Sequence, residues 1–463
     1  MLKLLIIPFT LEGHINVSLG LSEIISNSYN ITYAIPTKYY EYVQAQGYEC
    51  YILDGVPFGY GFEYSVRVEH ERCEDPYLDT LIDKVVGRLF YDRTKKLLAL
   101  MDLVRPDIIL LDCFTNTDFI ILYNYAKENN VKIAFFQTCL STHKRPFSPP
   151  INSNLISENA VDIEREWRTF YFRRNLKSIW EKIKFLGRNN TTIIKEKLKQ
   201  LKVPKPYQPI QFNSTNICFP NLPEFILAPQ ELEFNKAQPL PTQYYCGSFI
   251  PRDRKQIDVD EHYVDLIQNL EKIKTEKPNC KIIYCAFGSM YEDYINVIKP
   301  FLQKLFEIVK SSPTFYLVCA VKGEKIENLK QDISDNIFLL KKIPQLEILP
   351  ICDAFITHGG FGSIKESVWF GKPMLVYTIA PGMDWIGNAA KVVYHRIGIQ
   401  GNINKDSIST IHTYLTELLE NPIYAENVQK MSNTIKAGYK ETDFLVKFEK
   451  IIDSIKLNHF NNR

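Results

Sequence analysis

The sequence predicts an α/β protein built from two doubly wound domains, and three observations carry that prediction. Apolar runs of strand length alternate with stretches of helical spacing, the alternation breaks at a proline-rich segment, and it then starts again. A chain of 463 residues also exceeds one ordinary core, so two domains of roughly 200 residues are expected.

Taken in order, residues 2–9 are a continuous apolar run, and 15–25 carry Val17, Leu21, Ile24 and Ile25 at helical spacing. Gly13-His14-Ile15-Asn16 joins them, which places His14 on the first strand-to-helix loop, where open parallel sheets bind ligands. Further strands are expected at 31–35, 48–53, 107–111 and 131–136, with helices at 38–46 and 77–104. Residues 58–75 are irregular, aromatic and charged, and suit an exposed loop walling an apolar pocket.

Residues 159–202 are helical in pattern and basic, with 12 Lys/Arg against 5 Asp/Glu. Their apolar residues, among them Trp167, Leu176, Ile179 and Ile183, are expected to bury a stripe of a helix pair covering the first domain rather than meet a membrane or a partner. Proline punctuates 204–241, and the domain boundary is expected near 247–256. The second domain restarts with strands at 281–287, 314–320 and 337–340, then 354–357 and 374–378, and is helical beyond Gly401.

Composition narrows the function. Apolar residues make up 45% and charged residues 23%, which is ordinary for a globular protein, and a net charge of +2 implies no general attraction for nucleic acid. The ten cysteines form no CxxC pair and read as buried thiols in a reducing compartment. The apolar N-terminus lacks a cleavage-site pattern and reads as the first strand. No run approaches the ~18 uncharged apolar residues of a membrane span. A cytoplasmic location is the expectation.

Residues 342–398 hold the densest chemistry. Ala354-Phe355-Ile356-Thr357 ends in His358 and Gly359, Gly360 and Gly362 before Ser363 and a helical pattern. A strand, a glycine turn and a helix N-terminus bring backbone N–H groups to one point, which suits a phosphate or diphosphate. Glu366 follows Ser363 by three residues on the same side of the helix and suits the two hydroxyls of a ribose. Asp384 and Asn388 lie on the loop after the next strand. The order phosphate, ribose, polar loop matches a nucleotide sugar.

This stretch resembles the donor-binding box of the family 1 glycosyltransferases, the plant natural-product, animal UDP-glucuronosyl and bacterial macrolide-type enzymes. The matching residues are Pro344-Gln345, Phe355 to Gly360, Ser363, Glu366, Gly371 and Pro373, with the shorter bacterial spacing between Gln345 and His358. Two positions depart from the pattern. Lys342 stands where the family has an aromatic residue over the base, and Asp384-Trp385 stands, two residues later, for the Asp/Glu-Gln pair that binds sugar hydroxyls in plant members.

The resemblance implies a GT-B fold with an acceptor-binding domain over 1–246, a nucleotide-sugar domain over 257–435, and a terminal helix over 436–463 returning to the first domain. It implies inverting transfer of a hexose from a UDP-sugar, UDP-glucose being expected, to a hydroxyl of a small phenolic, flavonoid or macrolide-like acceptor. His14 is the expected general base, oriented by Asp112. Donor contacts are expected from Thr138, Ser289, Ile343, Gln345, His358, Gly360, Gly362, Ser363, Glu366, Asp384 and Trp385, and acceptor contacts from Phe58, Phe114 and Phe136. No metal and no cofactor are expected, since Asp258-Val259-Asp260 reads as charge at a helix start. Two alternatives stay open: a sugar-nucleotide epimerase or hydrolase on the same fold, and a non-catalytic nucleotide-sugar-binding protein.

Overall fold

The computed structural model describes residues 1–59, 75–209, 217–251, 254–255, 259–288, 291–321 and 333–457. Ser289, Asp258, Cys73 and most of the aromatic segment 58–75 lie outside these.

The first sheet has seven parallel strands in the order β3-β2-β1-β4-β5-β6-β7. They are β1 (Leu2–Ile7), β2 (Tyr29–Ile35), β3 (Glu49–Ile52), β4 (Ile108–Asp112), β5 (Lys132–Gln137), β6 (Glu224–Ile226) and β7 (Gln243–Tyr245). The second sheet has six parallel strands in the order β10-β9-β8-β11-β12-β13. These are β8 (Lys281–Ala286), β9 (Phe315–Ala320), β10 (Ile337–Leu340), β11 (Ala354–Thr357), β12 (Met374–Tyr377) and β13 (Gly398–Gly401). Both central strand sets are apolar on both faces, as a parallel sheet covered by helices requires. The fold is therefore the expected pair of doubly wound α/β units.

The strand order reverses between β1 and β4 in one sheet and between β8 and β11 in the other. Register is set by apolar matches such as Leu4 with Ile108 and Ala354 with Ile283. At such a reversal the following helices leave on opposite faces, and the strand ends open onto a crevice.

The last helix, Glu441–Ser454, crosses back to the first domain. Phe444, Phe448, Ile451 and Ile452 join Leu4, Ile6, Ile15 and Leu21 in one core, and Phe448 packs 4.8 Å from Phe225. A buried side chain of this size is worth about 1.5–3 kcal/mol. The first domain's core thus includes residues from the end of the described chain.

The two halves also meet directly. Lys365 is buried and donates to the Leu227 carbonyl at 2.9 Å, and burial pushes its pKa down to about 8. His395 Nε2 lies 2.8 Å from the Glu233 carbonyl, while Glu233 pairs with Arg145 at 2.6 Å within the first domain. A Cβ at Gly387 would stand 1.8 Å from the Ile151 carbonyl, so the helix Trp385–Tyr394 reaches the first domain only because position 387 is glycine. The described cysteines are free thiols, Cys50 half-buried and the rest buried.

Candidate active site

The crevice of the first sheet gathers three residues from three neighbouring strands. His14 stands in the first turn of the helix Glu12–Ile25 rather than on the loop before it, because the backbone N–H of His14 already bonds the Leu11 carbonyl at 3.0 Å. Asp112 ends β4 and Thr138 follows β5. His14 Nδ1 lies 2.8 Å from Asp112 Oδ2 and 3.0 Å from Thr138 Oγ1.

The Asp112 carboxylate is fully buried and fixed by backbone donors: Phe114 N–H to Oδ1 at 2.8 Å and Phe9 N–H to Oδ2 at 3.2 Å. Donors of this kind stabilise the ionised form and set its plane. With the proton on Nδ1 facing that carboxylate, the Nε2 lone pair points away from it. The imidazole is held edge-on to Phe9 and Phe114, at 5.4 and 5.0 Å, and its side chain is 15% exposed.

The crevice of the second sheet is built differently. Gly359, at φ +93°, turns the chain after β11, and Gly360 caps the helix Phe361–Trp369. His358 is buried between two glycines: a Cβ at Gly360 would stand 2.5 Å from its Nε2, and one at Gly288 would stand 2.6 Å from its Cε1. Trp385 packs edge-on at 4.7 Å. Burial pushes the His358 pKa down to about 4, so the ring is neutral at physiological pH. Its Nδ1 has no hydrogen-bond partner among the described residues.

Along that helix, Gln345 Nε2 donates to Glu366 Oε2 at 2.6 Å and lies 3.3 Å from Ser363 Oγ. The other carboxylate oxygen of Glu366 accepts from Arg254 Nη1 at 3.1 Å. Asn388 Nδ2 donates to the Gly359 carbonyl at 3.0 Å and to Asp384 Oδ2 at 2.9 Å. Burial raises the Asp384 pKa, against the Asn388 bond and the attraction of His14.

The structure thus joins His14, Asp112, Thr138 and Phe114 in one cluster, and Gln345, Ser363 and Glu366 in another. Gly362 faces open space in the second crevice. Four of the expected contact residues have buried side chains. Phe58 is buried against Phe90 in the hydrophobic core, and Phe136 is wholly enclosed with the core over helix Glu12–Ile25, so neither lines an acceptor pocket. Trp385 points its ring into the core beside His358 instead of offering a polar group to a sugar, which indole could do only through its N–H. The Ile343 side chain is likewise buried. Asp260 bonds the backbone N–H groups of His262 and Lys341, as a structural tie.

Sequence reasoning missed Arg254. It lies in the linker stretch, and its side chain is 5% exposed, with Nε unpartnered among the described residues. Burial opposes its charge, but Glu366, Tyr42 and Glu12 together outweigh this and hold its pKa above the usual value. Nothing in 247–256 marks which basic residue turns inward.

Residues 316–450 match the family model described as the erythromycin biosynthesis protein CIII-like C-terminal domain. The chain is 27% identical over 162 residues to the uncharacterized UDP-glucosyltransferase YojK of Bacillus subtilis, covering 35% of this chain and 38% of that one. It is 27% identical over 123 residues to the aclacinomycin-T 2-deoxy-L-fucose transferase of Streptomyces galilaeus, covering 26% of this chain and 27% of that one. The matched segments span less than half the length of these curated relatives.

Among solved structures, the glycotransferase of kitacinnamycin superposes with a TM-score of 0.66 at 18% identity, covering 97% of this chain and 100% of that one. The spinosyn rhamnosyltransferase SpnG complexed with thymidine diphosphate gives 0.61 at 14%, covering 96% and 100%. The fold is GT-B. The resemblance to the family 1 glycosyltransferases is borne out, with its clearest sequence support over 316–450.

Proposed function

We propose that this protein transfers a sugar from a nucleotide diphosphate sugar to a hydroxyl of a small acceptor, with inversion at the anomeric carbon. The observation that carries the reading is the His14–Asp112 pair at 2.8 Å at the strand ends of the first sheet. Nε2 of His14 takes the acceptor proton while the acceptor oxygen bonds the anomeric carbon. The bond from that carbon to the diphosphate oxygen breaks, and its electron pair leaves with the nucleoside diphosphate. Asp112 keeps the tautomer and stabilises the imidazolium that forms.

The leaving group's charge meets the N-terminus of helix Phe361–Trp369, the Ser363 hydroxyl and the neutral N–H of His358. Glu366 with Gln345 faces the ribose. Phe114, against the base, walls the acceptor side. UDP-glucose is the first donor to try, since relatives such as YojK are described as UDP-glucosyltransferases. A phenol, flavonoid or macrolide-like alcohol is the expected acceptor class.

The test is UDP release with mass detection, using UDP-glucose and a panel of phenols and flavonoids. Hexose addition to an acceptor supports the transferase. UDP release without a glycosylated product points to hydrolysis, and donor binding without turnover, unchanged in His14→Ala, points to a binding protein.

A further inference from the structure

Two neighbouring helices of the first domain are packed with their polar side inward. In Ala160–Lys184 the first half buries Ile163 and Trp167, and the Trp167 indole donates to the Ser148 carbonyl at 2.7 Å. Beyond this the helix reverses its habit. Phe172, Leu176, Ile179, Trp180 and Ile183, which share one face at helical spacing, are all more than half exposed, with Phe172 and Trp180 at 65%. The side turned toward the protein carries Arg174, Ser178 and Glu181.

Helix Pro76–Val86 does the same. It buries Thr80, Asp83 and Lys84 and exposes Leu78, Ile82, Val85 and Val86. The two helices are joined where the Tyr77 hydroxyl donates to the Lys184 carbonyl at 2.6 Å. Exposed apolar side chains sharing one helix face, as in Ala160–Lys184, mark a docking site. The stripe that the sequence assigned to the domain core therefore faces outward.

Charge selects the occupant. Residues 168–188 hold seven Lys/Arg and a single acid, Glu181. Arg173 and Lys177 border the apolar face on one side, and Arg168 and Lys182 on the other. We propose that this face docks the protein on an anionic lipid bilayer, its apolar residues entering the acyl boundary and its basic rim lying among headgroups. No described helix is long and apolar enough to cross a membrane, so the association is in the plane of the surface. A second copy fits worse, because an isologous contact would set two basic rims against each other.

Flotation of the full chain with vesicles tests this. Binding is expected to phosphatidylcholine vesicles carrying about 30% phosphatidylserine, with weakening in salt and a blue shift of Trp180 emission. Trp180→Glu with Ile183→Glu lowers partitioning on the order of 100-fold. Replacing Arg173, Lys177 and Lys182 by Gln lowers it about fivefold per charge on anionic vesicles. All five side chains are exposed, so circular dichroism of the variants matches the parent. Absence of parent binding, or equal binding by the variants, overturns the proposal. So does a concentration-dependent dimer broken by Trp180→Glu without any vesicle binding.

Discussion

At the centre of the first sheet β1 lies beside β4, and at the centre of the second β8 lies beside β11, so each domain brings two strand ends together at its own reversal of strand order. In the first domain these ends deliver His14 and Asp112, in contact at 2.8 Å. In the second they deliver Gly288 and His358, so close that a Cβ on the glycine would strike the ring. One histidine has a carboxylate behind it and partial exposure. The other has burial, no carboxylate partner among the described residues, and a pKa pushed down to about 4. The topology supplies convergence in both places, and the residue that meets each histidine decides how its ring is held.

The sharpest way to break the comparison is to exchange the roles. His14→Ala is expected to lower kcat about 100- to 10,000-fold with little change in donor affinity. Asp112→Asn should reproduce most of that loss and move the acidic limb of the pH–rate profile. His358→Asn should instead raise the donor KM and leave that limb in place. If the His358 variant shifts the limb, the division between base and donor fails.

Next in size is Arg254. If its bond to Glu366 holds the carboxylate for a ribose diol, Arg254→Met weakens UDP binding about 10- to 100-fold. Binding of 2′-deoxy-UDP, which has lost one of those hydroxyls, should fall less, and calorimetry of both nucleotides measures the difference. Equal losses would leave Arg254 a general attraction for the diphosphate.

A pair of glycines tests the second crevice through stability. Gly288→Ala meets both a positive φ of +73° and the His358 ring, and is expected to cost roughly 2–4 kcal/mol of stability. Gly13→Ala, with nothing within 4 Å of its Cβ, should be tolerated. Thermal unfolding separates them.

A last effect is in pH. His358 stays neutral when folded down to about 4, while the unfolded chain binds that proton near 6.5. The unfolded state therefore binds more protons in this window, and stability falls as pH drops from about 6.5 toward 4. Denaturation of His358→Asn should lack that part of the slope.

Much of the fold is legible because long parallel strands read as apolar runs: β1, β8, β9 and β11 fall within predicted segments, and β4 and β5 overrun theirs by one residue. The strands β6, β7 and β13 were not predicted, since three or four residues in a proline-rich or glycine-flanked stretch show no period. The polar clusters were legible through motif spacing. The acceptor aromatics were not, because Phe58 and Phe136 are as apolar in a core as in a pocket. Nor does periodicity tell which side of a helix meets the protein, and for that reason the stripe of Ala160–Lys184 was assigned inward.

The returning helix Glu441–Ser454 has a consequence for how the protein is made. Strands β1 to β7 leave the ribosome roughly 200 residues before Phe444 and Phe448 arrive to cover Phe225 and Phe249. At about 5–20 residues per second that face waits some tens of seconds. Synthesis of the second domain fills that interval, so the first domain completes its core last although it is translated first.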